Sequence, residues 1–185
     1  METEKDRLQA ETTSIEYDRE AENCRQYFAE KIDHILIIAI SSNEETIDEL
    51  LFQRNLIAKR IEEGAVSEDY AQTFMEIICL NIVALIRFEF KEKSNVLTAE
   101  RCLNYFRLHM KQAKELMQQK NHDYGEAWRH MRTSSMTDLN LVKCLRVKQI
   151  RENKGNTLVS EGIDANYYDI INYSIFALIK IHNES

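Results

Sequence analysis

Apolar residues return at helical spacing over six stretches of the chain, residues 14–40, 44–63, 67–90, 99–120, 135–153 and 160–182, and each predicts an α-helix. The first carries Tyr17, Cys24, Tyr27 and Phe28 before the run Ile35 to Ile40, and Ser41-Ser42-Asn43 interrupts it. The third ends in the nearly unbroken apolar segment 77–86, which reads as a helix buried all round. Gly64 is placed as the stop of the second helix and Thr98 as the N-cap of the fourth. Ser135-x-x-Asp138 has the shape of a capping box, with Ser134 and Thr137 competing for the cap. Residues 1–13 are polar and acidic without a sustained apolar face, and are expected to be a flexible lead-in. Between 120 and 135 the chain has neither a core period nor a simple charged face, yet holds its only Trp.

With no proline and four glycines in 185 residues, the chain has few breakers, and an all-α helical bundle is expected. Its 44% hydrophobic content is enough to bury a core. Four cysteines at wide spacings, Cys24, Cys79, Cys102 and Cys144, suggest neither a disulfide framework nor a zinc knuckle, so buried reduced thiols are expected. A charged N-terminus and short apolar runs predict a cytoplasmic protein without a membrane segment. The formal net charge of -7 speaks against non-specific binding to duplex DNA. Residues 101–154, however, carry twelve Lys or Arg against five Asp or Glu, which suits a small phosphate-bearing ligand.

The two halves look alike. Residues 66–88 slide without a gap onto 159–181, so that Ile77-Ile78 meets Ile170-Ile171 and Ala84-Leu85-Ile86 meets Ala177-Leu178-Ile179. Upstream, a shift of 89 pairs Lys31 with Lys120, Leu50 with Leu139 and Lys59 with Lys148. This predicts two tandem three-helix repeats related by a pseudo-two-fold, a degenerate first copy at 14–93 and a second at 98–183. Opposite Asn121 to Gly125 the first copy has Ile32-Asp33-His34-Ile35-Leu36, and opposite Asp164, Asp169 and Asn172 it has Ala71, Glu76 and Cys79. The polar site is therefore expected in the second copy alone. Such internal pairing predicts a monomer, whereas leftover apolar surface would give a homodimer.

Three groups of residues carry candidate chemistry. Asp123-Tyr124-Gly125 with Trp128, Arg129 and Arg132 follows a helix end, where an aromatic and arginines suit a base and a phosphate; a turn with Trp128 as core anchor is the structural alternative. Ser135, Asp138, Lys143 and Arg146 form the second, the two cations lying three apart on one helix face and calling for an anionic partner, either ligand or protein. In the third, Glu161, Asp164, Tyr168 and Asn172 share a sector of the last helix with Asp169 at its edge, and carboxylates three apart can share one Mg²⁺. Acids near a helix start are also favoured by its dipole alone.

Lys120-Asn121-His122-Asp123-Tyr124-Gly125-Glu126-Ala127-Trp128-Arg129, Ser134-Ser135-x-x-Asp138, Lys143-x-x-Arg146 and the run 160–173 resemble the nucleotide modification associated domain 1 family of bacteria, over about residues 105–182. The resemblance implies a role in nucleotide or modified-base metabolism. The pattern is also similar to the all-α nucleoside triphosphate pyrophosphohydrolases, in which acidic helix motifs hold Mg²⁺. Glu161-x-x-Asp164 fits the second of their motifs, but the first is missing, since Asp138 is the only acid from 131 to 149. The implied site takes a nucleotide through Lys120, Asn121, Asp123, Tyr124, Trp128, Arg132, Ser135, Lys143, Arg146 and Asn172, with Mg²⁺ on Asp138, Glu161, Asp164 and Asp169. Mg²⁺-dependent hydrolysis of a phosphoanhydride, a non-catalytic nucleotide-binding module and a helical interaction scaffold are the competing readings.

Overall fold

The computed structural model describes residues 3–89, 97–153 and 162–184. Among them are seven helices, α1 (Glu4–Glu30), α2 (Ile32–Ser41), α3 (Glu44–Glu62), α4 (Tyr70–Glu89), α5 (Ala99–Tyr124), α6 (Thr133–Glu152) and α7 (Ile163–Glu184), with a 3-10 turn at Ala127–His130 and no strand. The all-α bundle is as expected.

Helix ends fall where side chains or glycine satisfy the backbone groups that a helix leaves unpaired. Asn43 accepts from the Thr46 N–H at 2.8 Å and Thr98 from that of Arg101 at 3.2 Å. Gly64, at φ 71°, closes α3 with the Ala65 N–H donating to the Arg60 carbonyl and its own N–H to that of Ile61, the Schellman pattern.

Three local expectations change. The lead-in is helical from Glu4, because Thr3 and Asp6 form a reciprocal capping box, and Thr13 and Tyr17 bury a narrow stripe. The single helix expected over 14–40 is divided at Lys31, so that α1 packs on α5 and α7 while α2 packs on α4 and α5. Ser135 does not cap α6, which begins at Thr133 with Arg132 in the cap position and no side-chain cap. Asp138 turns instead to Lys59 at 2.8 Å, and Thr137, fully buried, donates to Glu62 at 2.8 Å.

The core is a four-helix centre. α4 packs on α7 and α3 on α6, while α3–α4 and α6–α7 are the two antiparallel hairpins, and α1, α2 and α5 cover one flank. Ile77, Ile82, Ile86, Ile170, Ile175 and Leu178 are wholly buried, each contributing roughly 1.5–3 kcal/mol. α4 alone among the described helices is long and apolar enough to cross a membrane, which the short runs had not suggested; 61% of its most apolar window is buried in the bundle. All four cysteines are free and buried.

Positions matched between the halves make matching interactions. Arg54 of α3 pairs with Glu76 of α4, and their counterparts Lys143 and Asp169 pair across α6 and α7. Thr73 and its counterpart Asn166 each donate to the carbonyl four residues back, both at 2.8 Å. The first half therefore keeps part of the polar set that was expected only in the second.

Tyr17 spans from α1 to α7, its hydroxyl donating to Asn172 Oδ1 at 2.9 Å inside the core. Tyr17→Phe leaves that acceptor buried without its donor, and a loss of about 1–3 kcal/mol in urea-unfolding free energy is expected. His109 is buried on α5, its Nδ1 3.0 Å from the Tyr168 hydroxyl and 3.2 Å from Gln112 Oε1. Burial holds its imidazole below the ordinary value, outweighing the attraction of Glu89 3.9 Å from Nε2. The unfolded chain thus takes the proton more readily, so His109 costs stability as pH falls below about 6.5. Urea unfolding between neutral pH and about pH 5 is expected to show a shallower decline in His109→Gln than in the unsubstituted protein.

Candidate functional site

Three helices meet at one carboxylate. Asp169, in the second turn of α7, has a side chain only 6% exposed, and its Oδ2 lies 2.8 Å from Lys143 Nζ on α6. Its Oδ1 takes a hydrogen bond from Lys120, near the end of α5. The Lys143 side chain is 19% exposed and that of Lys120 43%, so the pair of ammonium groups runs from the interior to the surface. The carboxylate between them holds both ammonium groups in place, and ammonium groups so positioned can receive a phosphate oxygen. Arg146, half-buried one turn beyond Lys143, makes no ion pair among the described residues.

Among the described residues, the acids expected to hold Mg²⁺ do not come together. Asp169 has both oxygens engaged by lysines, Asp138 is exposed and paired with Lys59, and Asp164 is exposed on the first turn of α7. Among the described residues no three His, Cys, Asp or Glu side chains are grouped to hold a metal ion. The described acids do not fit a resident Mg²⁺; Glu161 and the Tyr124 side chain lie outside the described residues.

Several other expected ligand contacts serve the scaffold. Asn172 is buried, donating to the Ala113 carbonyl of α5 at 3.0 Å and accepting from Tyr17, so both ends of its amide are occupied by protein. Trp128 is buried and stacks on Phe176 of α7, ring centroids 4.3 Å apart and planes 3° from parallel, the core-anchor alternative. Asp123 is exposed beside His122 at 3.2 Å, Arg132 is exposed, and Ser135 is half-buried on the first turn of α6. Lys120 to Tyr124 belong to the last turns of α5, ended by Gly125 at φ 67°, a backbone that favours glycine.

Two networks escaped the sequence reading. In one, Arg129 donates to Glu126 at 2.6 Å, to Glu16 at 2.8 Å and to Thr13 at 2.5 Å while lying 4.5 Å over the Trp128 ring, which fastens the 3-10 turn to α1. In the other, Arg151 of α6 bonds Asp48 at 2.5 Å, Glu44, and the Tyr167 hydroxyl at 3.1 Å. Burial pushes the Asp48 carboxyl above its ordinary value, although Tyr167 and Arg151 both favour its charged form. Glu126-x-x-Arg129 was a readable local signal, being three apart; residues 13 and 16 lie more than a hundred positions away, and nothing local announces them.

A cavity of about 670 Å³ opens between the first turns of α1 and the end of α5, with Asn121, Gly125 and Glu126 in its wall. It joins the motif stretch to a segment expected to be structureless.

An all-α bundle with a two-lysine carboxylate node is therefore the class that fold and site define. The model of the nucleotide modification associated domain 1 family matches residues 120–181, about a third of the chain, and spans Lys120, Lys143 and Asp169. No curated protein and no solved structure matches the chain.

Asp169→Asn removes the anion that separates Lys120 from Lys143. A loss of about 1–3 kcal/mol on urea unfolding is expected, below the cost of a wholly buried pair because Lys120 reaches solvent. A change within error would show that the node does not brace α5, α6 and α7.

Proposed function

We propose that this protein binds a nucleotide, receiving its phosphate groups at Lys120 and Lys143. One observation carries the reading: the segment that matches the nucleotide modification family contains all three members of the node, and its second copy of the half-chain pattern supplies both lysines. Asp169 holds the two ammonium groups in position before the ligand arrives, which reduces the ordering cost of binding. Arg146 continues the positive face of α6. The cations are the chain's own, so the geometry supports a binding role that needs no resident metal.

We also read the chain as a tandem duplication. The matched pairs Arg54–Glu76 and Lys143–Asp169 and the back-bonded Thr73 and Asn166 support it. The same match favours a second reading, in which Lys143–Asp169 is only a structural clamp inherited by both halves.

Thermal shift with a panel of ribo- and deoxynucleotides separates the two. A ligand at a hundred times its Kd stabilises the folded state by about 2.7 kcal/mol, which is roughly 5–10 °C in Tm for a chain of this size. The expected shift survives removal of Mg²⁺, disappears in Lys143→Met and persists in Arg54→Met, even if both variants melt lower. No shift with any nucleotide at millimolar concentration leaves the clamp as the whole role of the node.

A further inference from the structure

The cavity beside the motif is bordered by a group that the protein leaves unsatisfied. Glu126 lines it, and its side chain is only 8% exposed. Its Oε2 accepts from Arg129 Nε at 2.6 Å, but its Oε1 is buried with no hydrogen-bond partner. Arg129 gives no further help, since Nη2 is held by Thr13 and Glu16. A buried carboxylate oxygen without a donor is costly, and a ligand N–H in the cavity would remove that cost.

The remaining wall says what kind of donor. Gln9 of α1 and Gln118 and Asn121 of α5 present three amides, each with donors and an acceptor, and the Asn121 amide N–H₂ is engaged only by the weakly accepting Met117 sulfur at 3.1 Å. No Lys or Arg lines the cavity; Asp6 joins Glu126 in the wall, with His122 as the one basic side chain there. An anionic, amide-rich cavity repels phosphate and matches the mixed donor and acceptor edge of a heterocyclic base. Its volume of about 670 Å³ is ample for a nucleoside.

We propose that this cavity is a nucleobase site, in which Glu126 Oε1 accepts a ring or exocyclic N–H and the Gln9, Gln118 and Asn121 amides read the rest of the base edge. The proposal rests on the nucleotide reading for its ligand class, but not on the lysine node. Lys120 and Asn121 are consecutive on α5, so their side chains diverge by about 100° and the two can be altered separately.

The test uses free nucleosides, which carry no phosphate. Adenosine, guanosine, cytidine, uridine and thymidine are titrated at millimolar concentration, with thermal shift and the fluorescence of Trp128 as readouts. Trp128 is the only tryptophan, and Arg129 links it to Glu126. At least one nucleoside is expected to raise Tm by a few degrees and to change the Trp128 emission. Glu126→Gln is expected to weaken that nucleoside at least tenfold. Because Glu126→Gln also disturbs the Arg129 clamp, Ala10→Leu serves as the second variant, filling the cavity from α1, and should abolish binding without lowering the ligand-free Tm. Nucleoside binding that persists in Lys143→Met supports the site even where phosphates add nothing, an outcome that would count against the lysine node instead. Response to nucleotides but to no nucleoside overturns the nucleobase site and leaves the node standing. Unchanged nucleoside binding in Ala10→Leu, or a response to spermidine in place of nucleosides, also overturns it.

Discussion

The contact between α4 and α7 sets the terms for everything around it. Each helix is buried on nearly all sides over its middle, from Ile77 to Ile86 in one and from Ile170 to Ile179 in the other, so any polar group on them must find its partner indoors. Asn81 and Asn166 turn back to carbonyls of their own helices, Ser174 receives Asn140 of α6, and Asn172 is taken up by α5 and α1. These amides are braces. At Asn172 a ligand would have to displace a protein partner from either end of the amide, whereas the side-chain oxygens of Asn81, Asn140 and Asn166 stay buried without a donor.

Around that centre, charge joins the covering helices to it. Arg129 fastens the 3-10 turn to α1, Arg151 fastens α6 to α3 and α7, and Lys120 with Lys143 fastens α5 and α6 to α7. The first two surround one cation with several acceptors and are closed. The third instead gathers lysines from two helices on one carboxylate of a third. Glu126 is the complementary case, a carboxylate given half of what it needs.

The matched positions of the two halves differ at one lysine. Arg54–Glu76 occupies the place of Lys143–Asp169, but Lys31, the counterpart of Lys120, lies over the Tyr27 ring instead of joining Glu76, which Tyr27 bonds through its hydroxyl. One lysine thus distinguishes a closed pair from an open node. Lys31 also marks the break between α1 and α2, whereas α5 runs on unbroken past Lys120 to Gly125.

Periodicity located most of the helices, because burying one apolar face every three or four residues is a local property, but it did not place the start at Glu4 or the break at Lys31; Gly64 and Thr98 were legible as local capping signals. Residue type and helix face were enough to select Lys143, Arg146 and Asp169 as candidates, and the resemblance added Lys120. What they would meet was not legible. Asp169 was taken for a metal ligand and proved to be the partner of both lysines, a fact that depends on how α5, α6 and α7 are packed and on no spacing within them. Likewise the capping box at Thr3 was readable, but only the docking of α1 through Tyr17 and Arg129 turned a polar N-terminal segment into the wall of a cavity. Local patterns specify which groups are available; the long-range packing of helices decides which of them satisfy one another and which are left for a ligand.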